Sequence, residues 1–96
     1  MSEARTGILL EILQERTRQI HQEGYSVTHD DEHYPGELSS AGGNYAMFAF
    51  SKDPACRRSM WPWEAGAWKL KDPRSNLIRA AALILAELER HDRKGL

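Results

Sequence analysis

Ninety-six residues, 41% apolar and 28% charged, fit a single globular domain (1–96) near the lower size limit for one hydrophobic core. A formal net charge of −1 with no basic block excludes broad binding to a phosphate backbone, so nucleic acid is an unexpected partner. The single cysteine, Cys56, excludes an internal disulfide and fits a reducing compartment.

The longest apolar stretch, Ala80 to Ala86, is far shorter than the ~20 residues that cross a bilayer. The N-terminus carries no long apolar run, so the expectation is a cytoplasmic protein without a leader peptide or membrane contact. A chain this short has little core to spare, which makes a homo-oligomer an expected source of further burial. Cys56 stands beside Arg57 and Arg58, but with no base near it in the chain it does not read as a nucleophile.

Residues 5–23 read as an amphipathic helix. Ile8, Leu9, Ile12, Leu13 and Ile20 recur at helical spacing, and Gly24 is a natural stop. Arg16 and Gln19 interrupt this stripe, which predicts a helix at the edge of the core with its charged face in water. Glu15 and Arg18 are spaced to pair along that face.

Residues 24–36 form a polar connection bounded by Gly24 and by Pro35-Gly36. It holds His29-Asp30-Asp31-Glu32-His33, five consecutive side chains able to bind protons or metal, with Tyr25, Val27 and Tyr34 available to pin it. Function is often placed on such ordered polar loops.

A second helix follows over residues 37–50, with Leu38, Ala41, Tyr45, Phe48 and Ala49 on one side. Gly42-Gly43 in its interior costs about 1 kcal/mol per glycine in propensity. Close packing against another helix is the commonest reason to tolerate that cost. From Ser51 to Asp72 the helical pattern breaks at Asp53-Pro54 and again at Trp61-Pro62-Trp63. Trp61, Trp63 and Trp68 fall within eight positions, and burial against one end of the core is their commonest use.

The last helix begins at Asp72, a good N-cap, followed by Pro73 at its first position. Leu77, Ile78, Ala81, Ile84, Leu85 and Leu88 form a wide stripe with Ala80, Ala82, Leu83 and Ala86 around it, so this helix is apolar over nearly its whole girth and is expected to be the central helix or to form a subunit interface. No strand pair is evident. The fold class is therefore all-α, with three main helices, a polar His/Asp loop and an irregular Trp-rich connection.

Two constellations have the chemistry of a metal site. His29 and His33 are four apart, and with Asp30 they make a two-His, one-carboxylate set. Glu37 at the start of the second helix, with Glu87 and Asp92 late in the third, supplies carboxylates of the kind that hold Mg²⁺ in helical bundles. For Glu87, the first charge after the apolar run, an ion pair to Arg16 or Arg79 is the commoner use. A ligand- or partner-binding surface would draw on Tyr25, His29, Asp30, Asp31, His33, Trp61 and Trp63.

Three stretches together resemble small proteins encoded by phages and prophages. They are Glu15-Arg16-x-Arg18-Gln19 with Glu23-Gly24, His29-Asp30-Asp31-x-His33 with Gly36-Glu37-Leu38, and the run from Leu77 to Arg93. The likeness covers most of the chain and includes Trp61-Pro62-Trp63. More distantly, the order of parts is similar to the MazG-like nucleoside triphosphate pyrophosphohydrolases, all-α enzymes that oligomerise and hold Mg²⁺ on acidic helix pairs. That resemblance implies a third Glu at Glu37 and later acids at Glu87 and Asp92. Yet no Glu-Glu pair precedes Gly36, and Pro35 breaks the helical phase such a pair requires.

The leading expectation is a phage-type accessory protein without catalysis that binds a host or phage protein, or a small nucleotide-like ligand, with no certain cofactor. The alternative is a degenerate metal-dependent nucleotide-binding protein or pyrophosphohydrolase using a divalent ion such as Mg²⁺. A DNA-binding regulator ranks last, because the third helix is too apolar to lie in a groove.

Overall fold

A computed structural model describes residues 3–22, 35–51, 61–63 and 68–94. These contain three helices and no strand: α1 (Glu3–Gln22), α2 (Glu37–Met47) and α3 (Pro73–Lys94). The all-α class and the order of elements are those the sequence predicts. Among the described residues no helix is long and apolar enough to cross a membrane.

The starts of α2 and α3 have local causes. At α3 the Asp72 carboxylate accepts hydrogen bonds from the Ser75 amide (3.2 Å) and hydroxyl (2.6 Å), the N-cap expected of it. Before α2, Gly36 takes the left-handed conformation (φ 93°), and its carbonyl accepts the Ser40 amide at 2.8 Å. The α2 helix ends three residues before the expected boundary at 50, in turns closed by Phe48 N to Asn44 O and Ser51 N to Phe48 O.

Helices α2 and α3 run antiparallel. Glu87 of α3 bonds to Gly36 and Ser39, Gly42 sits against Ala80, and Asn76 reaches Ala49 beyond the far end of α2. The crossing is close. A Cβ on Gly42 would lie 2.9 Å from the Ala80 carbonyl oxygen and 3.3 Å from Leu83 Cβ. At Gly43 a Cβ would meet nothing within 4 Å. The predicted reason for tolerating glycine thus holds at Gly42, where backbone meets backbone.

This approach decides which face of α3 turns inward. Its buried residues are Asn76, Arg79, Ala80, Ala82, Leu83, Ala86 and Arg90. The expected stripe is largely on the other side: Leu77, Ile84 and Leu88 are exposed, and Ile78, Ala81 and Leu85 only half-buried. Small side chains are required where α2 lies against the backbone, so the bulky ones stand on the flanks.

Asn76 shows how the inward polar groups are accommodated. Its Nδ2 donates to the carbonyls of Ala49 and Lys71 (both 2.9 Å), and its Oδ1 accepts the Lys71 amide at 2.7 Å. Asn44 on α2 is equally buried, yet neither amide atom has a hydrogen-bond partner among the described residues. Such a group costs about 1–3 kcal/mol of stability.

The end of the core is closed by aromatic rings, as expected of the tryptophans. Trp68 stacks on Tyr45 at 4.6 Å between centroids, and Trp61 meets both edge-on at 5.1 and 5.7 Å. Trp63, half-buried, packs edge-on against Trp61 at 5.5 Å.

Substituting the two adjacent glycines separates close packing from helix propensity. Gly43→Ala should stabilise the chain by roughly 0.5–1 kcal/mol. Gly42→Ala should destabilise it by about 1–2 kcal/mol, because the Ala80 carbonyl is backbone and must shift. Urea unfolding measures both, and equal effects would refute the close approach.

Candidate functional site

Helix α1 crosses α3 rather than lying along it. Its Glu11 and Glu15 side meets the N-terminal half of α3 at Arg74 and Arg79, while Arg16 reaches Glu89 near the C-terminal end. Arg16 and Gln19, expected to interrupt the apolar stripe at the rim, are buried at the crossing. They are inward because each finds a partner there: Arg16 Nε donates to Glu89 Oε1 at 2.7 Å, and Gln19 Nε2 reaches Glu15 at 3.2 Å.

On the charged side a cleft of about 320 Å³ opens among Glu11, Glu15, Arg18, Lys71, Arg74 and Arg79. Arg18 grips Glu15 with two bonds of 2.8 and 2.7 Å, the pairing expected from their spacing. Arg79 Nε stands 3.7 Å from the same carboxylate. Its Nη1 donates to the Lys69 carbonyl at 2.9 Å and to the Tyr45 hydroxyl at 3.4 Å, with the guanidinium 5.4 Å from the Tyr45 ring centre. One chain of contacts therefore links α1, α3 and the aromatic end of the core.

Burial alone would push the Glu15 carboxyl up. The Arg18 hydrogen bonds and charge, the Arg79 charge and the Gln19 amide outweigh it and hold the group below its ordinary value. Glu11 is shifted the same way, chiefly by its hydrogen bonds to Arg74.

On the opposite side of the crossing lies a groove of about 460 Å³ lined by apolar side chains alone. Leu9, Ile12 and Leu13 of α1 form one wall, and Ala81, Ile84, Leu85 and Leu88 of α3 the other. Leu9, Leu13, Ile84 and Leu88 are each 43–57% exposed. This face, built from residues read as core, is where the two helices leave apolar surface uncovered.

The expected carboxylates occupy different situations. Glu37 is the first residue of α2 and is half-buried. Glu87 is spent on the same helix end: its Oε1 accepts the Gly36 amide (2.8 Å), the Ser39 amide (3.2 Å) and the Ser39 hydroxyl (3.1 Å). It caps α2 from a neighbouring helix, at the end where the helix dipole favours negative charge. Asp92 lies five residues further on, ~140° around the axis, and is exposed beside His91 Nδ1 at 3.4 Å.

Among the described residues no three His, Cys, Asp or Glu side chains gather as a metal site. Tyr25, His29, Asp30, Asp31 and His33 lie outside the described residues. Of the two tryptophans proposed for ligand contact, Trp61 is in the core and Trp63 at its margin. No family model matches the chain, and neither a curated protein nor a solved structure matches it.

Removing the interhelix cap should be costly. Glu87→Ala leaves the Gly36 and Ser39 amides without their acceptor and should lower stability by about 1–3 kcal/mol, with Glu87→Gln recovering part of it. Thermal melts of the three proteins test this, and an unchanged Glu87→Ala midpoint would rule out the capping role. The Glu15 shift predicts a pH dependence. A carboxyl with a depressed folded value stabilises the chain above the unfolded range and loses that effect as pH falls through the folded value. Glu15→Gln should therefore show a shallower loss of melting temperature than the parent between about pH 5 and pH 2. Parallel acid limbs would contradict it.

Proposed function

We propose that this chain is a small helical docking protein that acts by binding another protein, without catalysis, in keeping with its resemblance to phage-type accessory proteins. The observation that carries this reading is the bare apolar face of α1 and α3. A contiguous exposed apolar patch of several hundred Å² on a small domain is often functional, as a site of interaction. Leu9, Leu13, Ile84 and Leu88 supply it in one place, and they come from two rigid helices.

The charged cleft is of a different kind. Arg18 and Arg74 are already held by Glu15 and Glu11, so its ion pairs serve to seat α1 on α3. The apolar groove has no comparable internal use. Its side chains are oriented by helices whose positions are set elsewhere, by Gly42, Glu87 and Arg16.

A photo-crosslinking residue placed at Leu13 or Leu88, in cells that make the protein, should yield a discrete adduct with a polypeptide. The same residue at Ala46, exposed on α2, should not. Adducts at Ala46 equal to those at Leu13 and Leu88, or none at any position, would overturn the docking reading.

A further inference from the structure

Four of the uncovered side chains on α3 follow a regular order. Leu77, Ala81, Ile84 and Leu88 are spaced four, three and four residues apart, the a/d rhythm of a helix seam that receives another helix. Leu77, Ile84 and Leu88 are 44, 43 and 57% exposed, and no polar residue interrupts the row. At ~100° per residue the four fall within an arc of about 60°. They lie beside the face that α2 covers, and α1 adds Leu9 and Leu13 alongside.

We infer that the occupant of this face is a second copy of the chain, with α3 packed antiparallel on the partner's α3 about a two-fold axis near residues 82–83. The inference rests on the docking reading and names its partner. Three observations favour a second copy. The first is symmetry: the seam's spacing of four, three and four residues reads the same in both directions. A two-fold operation sets Leu77 against the partner's Leu88 and the small Ala81 against the partner's Ile84.

The second is charge. An antiparallel pair opposes the dipoles of the two α3 helices. With a net charge of only −1, two copies do not repel.

The third is area. Leu9, Leu13, Leu77, Ile84 and Leu88 are each about half exposed, leaving on the order of 400 Å² of apolar side chain per chain. A standard interface covers about 800 Å² per partner and homodimers are about 65% apolar, so the patch supplies most of the apolar share of a small dimer. The result is a four-helix layer made from α1, α3 and their symmetry mates.

The experiment is sedimentation of the full chain from about 1 to 100 μM, well above the dissociation constant of a stable dimer. The expected result is twice the chain mass, falling to the monomer mass in Ile84→Glu and in Leu88→Glu with helical circular dichroism unchanged. Leu88 is 57% exposed and its substitution spares the core, whereas the Ile84 side chain also lies against α2 at Gly42, so Leu88→Glu is the deciding variant if Ile84→Glu loses helix. In a Cys56→Ser background, mixed Leu77→Cys and Leu88→Cys chains should then form a disulfide that Leu77→Cys chains alone do not.

Disulfides among Leu77→Cys chains alone would overturn the antiparallel register. A monomer at every concentration would overturn the second copy, and so would a dimer insensitive to both glutamates. If the monomer still gave crosslinks at Leu13 and Leu88 to a different polypeptide, the docking reading would stand without this inference. Monomer and no crosslink would remove both.

Discussion

The contact on which the rest of this structure depends is the meeting of two backbones where Gly42 of α2 lies on Ala80 of α3. Nothing larger than hydrogen fits there. Once α2 sits that close, the face of α3 turned to it is built from Ala80, Leu83 and Ala86, and Leu77 and Leu88 are left on the outer side. The outward position of Ile84 and Leu88 follows from packing geometry, not from any preference of those residues for water. A tight helix pair and a bare apolar face are two results of one constraint.

Small side chains give little lateral grip, and polar side chains supply the register instead. Glu87 holds the start of α2, Asn76 reaches the carbonyl just past its end, and Arg79 ties the tyrosine hydroxyl to the Lys69 carbonyl. The bonds to Gly36, Ala49 and Tyr45 join elements distant in sequence, and each fails if α2 slides by one turn. Arg16 and Glu15 do the same for α1. The polar groups inside this domain therefore specify position, while apolar burial supplies the bulk of the driving force.

Much of this is visible in the residues before any coordinates are consulted. Asp72-Pro73 marks the start of α3, Gly42 signals close packing, and the tryptophan cluster reads as burial; all three stand in the structure. The facing of α3 does not. Periodicity locates an apolar stripe but is silent on which neighbour claims it, and a glycine-mediated contact reverses the usual rule that the widest stripe points inward. Arg16 and Gln19 mislead for a related reason: charged or amide side chains look like surface until the distant partner, Glu89 or Arg79, is known. Glu37 and Glu87 lie at the same end of α2, whereas Asp92 points away from it, since five residues along a helix turn the side chain well away. The groove itself combines Leu9 and Leu13 with Ile84 and Leu88, a pairing that only the crossing of α1 over α3 reveals.

An interior in which several polar side chains are buried beside the apolar cluster has a consequence for temperature. The heat capacity gained on unfolding scales with newly hydrated apolar area and is reduced by polar area. With Asn76, Arg79, Arg90, Arg16 and Gln19 buried beside a small apolar cluster, this chain exposes a large polar share when it opens. Its stability curve should be shallow, changing little across the range of growth temperatures and resisting the cold that weakens aliphatic cores.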